Sequence, residues 1–441
     1  MSEEEKFDAI VVGAGPSGIA AALTMAKAGL EVVVLERGEE PGTKNVYGGI
    51  LFTNVLAELV PDFLEDAPLE RHLVRRRFSL LSREAEMAFD FRTERYNAPP
   101  YNNTFTVSRA KFDSWFAGKA EEAGAQIFPG IVVDDFVWQD GAVVGIKARG
   151  ERPGEYDELL ADVVICAEGA NSLLARKSGL WKEPRPTHRA TAVKEVIALP
   201  RQVIEDRFQL KENEGAAFEY FGQATDGMVG SGFLYTNAET VSVGVGVTIA
   251  EFHKRSPSPN PNDLLEQFKN HPAVAPFIRG GETVEYMSHM IPEAGYRNLP
   301  DLVTDGLILV GDAAGLVNTS LFHEGTNLAM ASGKAAGETV VAAKEKGDFS
   351  KQSLEMYVKK LENSFVLQDM REFQDAVHFV SENPRLLNEY PEVMAELVAD
   401  YLSVTGEPKR AVREKVLKKF RKRIGYLRAA RDAWKAKKAL F

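Results

Sequence analysis

The sequence predicts an α/β protein with three parts: a domain built on parallel strands, an inserted antiparallel sheet, and a helical C-terminal region. Three observations predict this fold class. An apolar strand, a glycine-rich turn and a helix follow one another near the N-terminus. Two more apolar strands, far along the chain, also end in glycine. Between them lie segments in which apolar and polar residues alternate, as in half-buried antiparallel strands.

The N-terminal segment has the pattern of a nucleotide-binding β–α–β unit. Residues 7–12, FDAIVV, form a strand, and GAGPSG then places glycines at Gly13, Gly15 and Gly18. A helix follows, and the second strand, EVVVLE, ends at Glu36. The first glycine allows the tight turn, the second lets a pyrophosphate approach the backbone, and the third lets the helix pack on the sheet. We predict a Rossmann-like dinucleotide site in which Glu36 accepts a hydrogen bond from a ribose hydroxyl. Because an acid at this position disfavours a phosphate on the ribose, NADP is the poorer fit.

Two later strand ends favour FAD over NAD. Residues 161–180 contain a strand that ends at Glu168-Gly169, and residues 307–315, LILVGDAAG, contain another. A simple NAD domain needs neither of these glycine-marked strand ends. An extended FAD needs them, because its pyrophosphate lies at the first glycine-rich turn and its ribityl chain and flavin lie at the last strand end. Asp312 can accept a hydrogen bond from a ribityl hydroxyl. The helix that begins near Gly325 can direct N–H groups at the flavin edge that gains negative charge on reduction, which raises the reduction potential.

Composition and charge exclude several classes of protein. No apolar run is long enough for a transmembrane helix, and the acidic N-terminus predicts no secretory signal peptide, so a cytoplasmic location is expected. The single cysteine, Cys166, lies in an apolar strand and is predicted to be a core residue; one cysteine excludes an iron–sulfur or zinc cluster held by this chain.

The C-terminal segment is strongly basic. Residues 409–441 carry fourteen Lys or Arg against two acids, a local charge of +12 in a chain of net −11. This tail is either a solvated helix or a contact for an anionic membrane or acidic partner; no pattern supports nucleic acid.

Longer motifs resemble the FixC-type electron-transfer-flavoprotein:quinone oxidoreductase subunit. This subunit belongs to the para-hydroxybenzoate hydroxylase branch of the glutathione-reductase-type FAD fold, which also contains the geranylgeranyl reductases. The resemblance covers residues 5 to about 430. The motifs that carry it are KNVYGGILF (44–52), TVSRAKFDSWFAGKAEEAGA (106–125), GSGFLYTNAETVSVGVGV (230–247), FKNHPAVAPFIRGGETVEYMSHMIPEAG (268–295) and SLFHEGTNLAMASG (320–333).

The resemblance implies a set of FAD contacts and no catalytic side chain or metal ligand. Arg109 has an independent rationale, since a cation near the ribityl–phosphate stretch offsets its charge; a surface ion pair is the alternative. In the family, a strand at the position of Val133 packs against the adenine of FAD, so the resemblance implies an adenine contact for Val133. The implied contacts are Gly13, Gly15, Pro16, Ser17, Gly18, Glu36, Arg37, Gly48, Gly49, Arg109, Val133, Ala167, Gly169, Gly311, Asp312, Gly325, Thr326 and Asn327.

The resemblance also implies a function and partners. Electrons from an electron-transfer flavoprotein would pass through a separate small ferredoxin-like iron–sulfur protein to FAD, which would reduce a membrane quinone. The protein would associate peripherally with the inner face of the cell membrane, and no nucleic acid is expected. Quinone-lining residues would be Tyr47, Leu51, Phe322 and His323. In some relatives the same subunit serves electron bifurcation, and the sequence is compatible with that role.

Two other functions remain open. The first is a geranylgeranyl (prenyl lipid) reductase, although GSGFLYTN has neither the Trp nor the Pro of that family's substrate motif. The second is a non-catalytic scaffold that binds FAD structurally. Fused quinone oxidoreductases of this superfamily carry their own 4Fe–4S cluster, which the single cysteine of this chain cannot supply.

The fold implies discontinuous domains. The predicted divisions are residues 1–74, 103–185 and 288–345 for FAD binding; 75–102 and 186–287 for the antiparallel-sheet quinone domain; and 346–441 for the helical C-terminal region with its basic tail.

Overall fold

A computed structural model describes residues 6–43, 48–150, 152, 154–181, 185–320 and 322–440. The chain divides into two compact units. The first comprises Met1–Glu70, Asn102–Arg189 and Met290–Glu372, and the second comprises Arg71–Tyr101, Ala190–His289 and Phe373–Phe441. The predicted helical C-terminal region is thus divided between the two units after Glu372.

Strands and helices alternate in the first unit, and strands dominate the first two segments of the second. The strands are β1 (Lys6–Val12), β2 (Val32–Glu36), β3 (Gly49–Phe52), β4 (Leu69–Leu81), β5 (Glu86–Arg92), β6 (Thr104–Val107), β7 (Gln126–Pro129), β8 (Val133–Gln139), β9 (Ala142–Arg149), β10 (Tyr156–Cys166), β11 (Arg189–Ala198), β12 (Glu214–Gly222), β13 (Gly230–Thr236), β14 (Thr240–Thr248), β15 (Glu282–Pro292), β16 (Val303–Thr304) and β17 (Leu307–Leu309). The helices are α1 (Pro16–Lys27), α2 (Asn54–Leu59), α3 (Arg109–Glu122), α4 (Leu173–Lys177), α5 (Arg201–Phe208), α6 (Ile249–His253), α7 (Pro261–Lys269), α8 (Ala275–Ile278), α9 (Thr326–Lys346), α10 (Lys351–Glu362), α11 (Phe365–Glu372), α12 (Ala376–Glu382), α13 (Arg385–Leu402), α14 (Lys409–Arg423) and α15 (Tyr426–Leu440).

The first unit is built on a sheet of order β16-β17-β10-β1-β2-β7, in which the strands from β17 to β7 are parallel. The short strand β16 pairs antiparallel with β17, and the β8–β9 hairpin extends from β10. The register places Val12 opposite both Leu35 and Cys166, and Cys166 opposite Leu309. The carboxyl ends of β1, β2, β10 and β17 therefore lie along one edge, where ligands of parallel sheets bind.

Close helix packing fixes this edge. Helices α1 and α9 approach so closely that a Cβ on Gly333 would lie 2.0 Å from the carbonyl oxygen of Ser17. On α10, the buried hydroxyl of Tyr357 donates to the carbonyl oxygen of Leu309 at 2.9 Å, at the end of β17. The first contact fixes α9 against the start of α1, and the second ties the end of β17 to α10.

The second unit is built on six strands of a larger sheet, in the order β15-β11-β14-β13-β12-β4, and β5 also pairs with β4. Pairs β11–β14, β14–β13, β13–β12 and β4–β5 are antiparallel, and β12–β4 is parallel. Alternate residues such as Val193, Val243 and Phe218 form one buried core with Phe208 of α5 and Phe268 of α7. The period-2 segments thus form a largely antiparallel sheet, and the predicted fold class is confirmed.

A buried lysine makes the second unit sensitive to pH. The Lys194 side chain on β11 is 1% exposed. Burial lowers its pKa from 10.5 to about 8, while the nearby Glu285 carboxylate opposes the shift. The folded state binds this proton more weakly than the unfolded chain, so the free energy of unfolding rises as pH increases from about 8 towards 10.5.

We expect Lys194→Met to raise the free energy of unfolding at pH 7 by about 3 kcal/mol, because the uncharged side chain removes the cost of burying a cation. The rise above pH 8 should largely disappear as well. Urea unfolding at neutral and alkaline pH measures both quantities, with the exposed Lys254→Met as the control. A less stable variant with an unchanged pH slope would contradict the assignment.

Candidate functional site

The glycine-rich turn after β1 contains two glycines that the fold requires and one that it does not. Gly13 has a φ of +106°, and a Cβ there would lie 2.4 Å from the carbonyl oxygen of Ala167. A Cβ on Gly18 would lie 2.0 Å from the carbonyl oxygen of Gly13. Gly15 caps the N-terminus of α1, and no atom lies within 4 Å of the position of its Cβ. The space beside Gly15 is therefore open at a helix N-terminus, which favours an anion.

Glu36, at the end of β2, holds the loops around this turn. Its Oε2 accepts from the Ala14 N–H at 2.9 Å, and its Oε1 accepts from the Gly38 N–H at 2.7 Å. Each carboxylate oxygen can accept more than one hydrogen bond. Glu36 can therefore fix the turn and still accept from a ribose hydroxyl, the role predicted from its position.

The strand ends of β1, β10 and β17 continue to pair beyond the sheet. The Ala167 N–H donates to the carbonyl oxygen of Val12 at 2.8 Å. Gly311 has a φ of +57°, and its N–H donates to Oγ of Ser332 on α9 at 2.9 Å. A Cβ on Gly311 would lie 2.6 Å from Oγ of Ser17. The three glycine-marked strand ends, at Gly13, Gly169 and Gly311, thus meet at one edge although they are distant in sequence.

Arg109, the first residue of α3, forms a bidentate ion pair with Asp113. Its Nε and NH2 groups donate to the two carboxylate oxygens, each at 2.7 Å. The side chains are 18% and 1% exposed, so the pair is mostly buried and is not the surface ion pair considered as the alternative. Asp113 was not predicted from the sequence, although an acid four residues after an arginine on a helix is a recognisable pairing signal.

The electrostatics connect this pair to two predicted FAD contacts. Burial raises the pKa of Asp113 against the influence of Arg109, and Glu36 raises it further. Burial alone would lower the pKa of Arg109, but Asp113 and then Asp312 hold it above its usual value. Burial also raises the pKa of Asp312, which Arg109 opposes. Arg109 is therefore a buried cation that stabilises two neighbouring carboxylates, Asp113 and Asp312, and can offset the charge of an anionic ligand.

The start of α9 presents polar groups that the protein leaves unpaired. Gly325 is the N-terminal cap, and no side chain caps the helix there. In the part of the chain that the structure describes, no donor reaches the buried Oδ1 of Asn327. The Asn327 Nδ2 donates to Oε1 of Glu324 at 2.9 Å, and Oε2 of Glu324 accepts from Asn318 at 3.1 Å. Glu324 thus orients two amides and does not cap the helix backbone.

The other predicted FAD contacts occupy varied environments. Gly49 and Gly169 face open space at the position of a Cβ, whereas a Cβ on Gly48 would lie 2.3 Å from the carbonyl oxygen of Val107. Arg37 is exposed, and Val133 begins β8 half-buried. Their contacts with FAD, like those of Pro16 and Thr326 at the first turns of α1 and α9, stay predictions.

The predicted quinone-lining residues differ in accessibility. Tyr47 lies outside the described residues. Leu51 is fully buried, while its neighbours in β3, Ile50 and Phe52, are partly exposed, so Leu51 lies on the inward face of the strand. Phe322 is 51% exposed, and His323 is exposed with a φ of +47°.

Cys166 and Glu168 have structural positions. Cys166 is fully buried at the end of β10, and burial raises the pKa of its thiol well above the usual value, which opposes redox reactivity. Glu168 accepts from the N–H groups of Leu173 and Ala175 at 2.9 and 2.7 Å and so holds the start of α4. Across the described ranges, no three His, Cys, Asp or Glu residues cluster as a metal site would require.

These residues fit an extended FAD. The open space at Gly15 and Gly169 leaves room for the nucleotide, and the buried Oδ1 of Asn327 lacks a donor that the flavin can supply. An uncapped helix N-terminus and the Arg109 guanidinium complement negative charge. The donors and acceptors of this site therefore fit the chemistry of FAD.

Comparisons with known proteins agree with this geometry. The family described as FAD binding domain matches residues 6–364, and the ETF-QO/FixC family C-terminal domain matches residues 376–441. Protein FixC of Escherichia coli K12 is 43% identical over 433 residues, 98% of each chain. Protein FixC of Azorhizobium caulinodans is 45% identical over 423 residues, 95% of each chain. A probable electron transfer flavoprotein-quinone oxidoreductase of E. coli K12, YdiS, is 42% identical, covering 99% of this chain and 100% of the relative.

Solved structures show the same fold. A geranylgeranyl bacteriochlorophyll reductase-like protein from Thermoplasma acidophilum has a TM-score of 0.72 at 22% identity, covering 95% of this chain and 97% of that one. The flavin-dependent brominase Bmp2 has a TM-score of 0.63 at 18% identity, covering 95% and 100%. At these identities the similarity concerns the fold alone.

The fold and the site together define an FAD-dependent oxidoreductase. The chain belongs to the ETF-QO/FixC family. The predicted family, the FAD cofactor and the enzyme class are therefore confirmed, and the chain is an electron-transfer flavoenzyme.

Proposed function

We propose that this chain accepts electrons from an electron-transfer flavoprotein, through a separate ferredoxin-like iron–sulfur protein, and reduces a membrane quinone. Membership of the ETF-QO/FixC family supports the proposal, together with the similarity to YdiS, a probable electron transfer flavoprotein-quinone oxidoreductase. The net reaction adds two electrons and two protons to the quinone, which becomes a quinol; the protons come from solvent.

The residues of this chain bind and tune the cofactor. Bound FAD supplies the ability to accept electrons singly and to deliver two of them to one acceptor. Glu36 and the open turn at Gly15 hold the nucleotide end, and Arg109 offsets its negative charge. The uncapped start of α9 stabilises negative charge at the other end of the site. Electron transfer needs this placement and no protein nucleophile, which agrees with the buried, unreactive thiol of Cys166.

The iron–sulfur cluster is assigned to another protein because this chain cannot hold one. Cluster ligation requires several cysteine thiolates, and the chain has one cysteine, which is buried. The exposed Phe322 and His323, beside the start of α9, are the proposed quinone contacts that the structure leaves accessible. Participation in a bifurcating complex is compatible with the same electron route.

A reconstitution experiment tests the proposed electron route. The FAD-loaded chain is mixed anaerobically with a reduced electron-transfer flavoprotein and a soluble quinone analogue, with and without a purified ferredoxin-like protein, while the absorbance of the oxidised quinone is followed. We expect fast loss of the quinone absorbance only when the iron–sulfur protein is present. Equally fast loss without it would contradict the route. Saturation of a geranylgeranyl lipid by the dithionite-reduced enzyme would favour prenyl reduction, the alternative predicted from the sequence.

A further inference from the structure

Helix α15 shows its large apolar side chains to solvent and its small ones to the protein. Leu427 is 91% exposed and Trp434 is 66% exposed, and seven residues separate them, so they share one face of the helix. The opposite face is made of Ala429, Ala436 and Ala439, which are half-buried or buried, together with the buried Asp432. This arrangement is the reverse of an ordinary surface helix, whose apolar residues face the core.

The inner face of α15 is anchored, which fixes the direction of its outer face. The carboxylate of Asp432 is 1% exposed and accepts from the hydroxyl of Tyr390. The Arg385 guanidinium lies 3.1 Å from the same carboxylate. Ile424, just before α15, packs with Val393 and Leu397 of α13 in a small hydrophobic core. Leu427 and Trp434 are therefore held outward by buried contacts.

Cations surround the two exposed apolar residues. By helical spacing, Arg431 lies on the same side of the helix as Leu427 and Trp434, and Arg428 and Lys435 flank that side. Arg431 lies 3.6 Å from the Asp432 carboxylate, whereas no acid among the described residues lies within ion-pair distance of Arg428 or Lys435. The segment 409–441 has two acids, Glu414, paired with Arg410, and the buried Asp432.

We propose that the outer face of α15, formed by Leu427, Arg428, Arg431, Trp434 and Lys435, docks on an anionic lipid bilayer. A helix lying flat on a membrane places Trp and Leu at the headgroup boundary and Lys and Arg against lipid phosphates. The two apolar side chains lie about 10 Å apart along the axis and can enter the interface together. An acidic protein surface or a nucleic acid would pair with the cations. Neither would account for the almost complete exposure of Leu427, which a lipid interface would bury.

This docking rests on the proposed function, because it names the surface through which the enzyme would meet a lipid-dissolved quinone. In the described residues, no helix is both long and apolar enough to cross a bilayer. The exposed Leu417 on α14, 45% accessible and flanked by Arg413, Lys418 and Arg421, extends the same chemistry to the neighbouring helix.

Vesicle co-sedimentation of the full FAD-loaded chain tests the proposal. Vesicles of phosphatidylcholine are compared with and without phosphatidylglycerol, at low and high salt. We expect binding to the anionic vesicles that falls with salt. Arg428→Gln combined with Lys435→Gln should lower the partition coefficient about 30-fold, since each cation near an anionic surface contributes about 1 kcal/mol. Leu427→Ser combined with Trp434→Ser should lower it roughly tenfold or more.

The matched control is Phe89→Ser on β5, which removes an aromatic side chain that is 67% exposed in the same unit. It should bind vesicles as the unmodified chain does. Equal binding to neutral and anionic vesicles, unchanged binding by both double variants, or capture of an acidic protein without any vesicle binding would overturn the proposal. Reduction of a soluble quinone analogue without vesicles should be unchanged in the variants. If that activity is absent in every chain while vesicle binding persists, the proposed function fails and the docking surface stands.

Discussion

Gly15→Val is expected to abolish FAD binding while the fold stays intact. Gly15 has a φ of −79° and a ψ of 176°, extended backbone that valine adopts readily, and no protein atom lies within 4 Å of its Cβ position. The valine side chain would instead fill the open space where a pyrophosphate must reach the backbone N–H groups of α1. The purified variant should lose all flavin absorbance after desalting, yet keep the circular dichroism spectrum of the unliganded chain.

Two other glycines provide the comparison for this result. Gly118 on α3 also has no atom within 4 Å of its Cβ position, and Gly118→Val should retain FAD. Gly13→Val should lose both FAD and thermal stability, because its φ is +106° and its Cβ would contact Ala167 at 2.4 Å. A Gly15→Val protein that keeps stoichiometric FAD would refute the placement of the pyrophosphate.

Asp113→Ala is expected to lower the free energy of unfolding of the FAD-free chain by about 3–5 kcal/mol. Removing one partner of a buried ion pair leaves the other charge without compensation in a low-dielectric environment. Here Asp113 is 1% exposed and is the hydrogen-bonding partner of the Arg109 guanidinium through two bonds of 2.7 Å. The control is Asp134→Ala, which removes a bidentate ion pair with Arg149, whose side chain is 57% exposed. This substitution should lower the free energy of unfolding by less than about 1 kcal/mol.

The double variant Arg109→Met, Asp113→Leu separates stability from cofactor binding. Replacing both charges with apolar groups should restore most of the lost stability, because neither charge is then buried alone. FAD affinity should nevertheless fall about tenfold or more, since a hydrogen bond or ion pair to a charged group contributes about 1.5–3 kcal/mol. Urea unfolding and FAD titration of the same preparations measure the two effects. Unchanged FAD affinity in the double variant would show that Arg109 is structural only.

Local patterns were sufficient to predict the strand ends that meet at one edge of the parallel sheet. The glycine spacing, the acid that ends β2 and the GDAAG strand end each encode a backbone conformation or a strand terminus within a few residues. Parallel strands with right-handed crossovers then place these termini at one edge. For this reason Gly13, Gly311 and Glu36 lie where the sequence indicates, although they come from distant segments.

The rest depends on side-chain positions that local patterns do not determine. Strand β3 has four residues, too few for alternation to show that Leu51 points inward and Ile50 outward. Glu324 has the sequence position of a helix cap, but its carboxylate binds the amides of Asn318 and Asn327. The burial of Lys194 results from packing across a whole sheet, so its lowered pKa has no signature in the nearby sequence.

Quinone reduction is the central claim, and anaerobic stopped-flow spectroscopy tests it most directly. The FAD-loaded chain is reduced with dithionite, freed of excess reductant, and mixed with a soluble ubiquinone or menaquinone analogue; the flavin-free Gly15→Val protein is the blank. We expect a rapid return of the oxidised flavin band with at least one of the two quinones. No return with either quinone, although the flavin is bound and reducible, would contradict it.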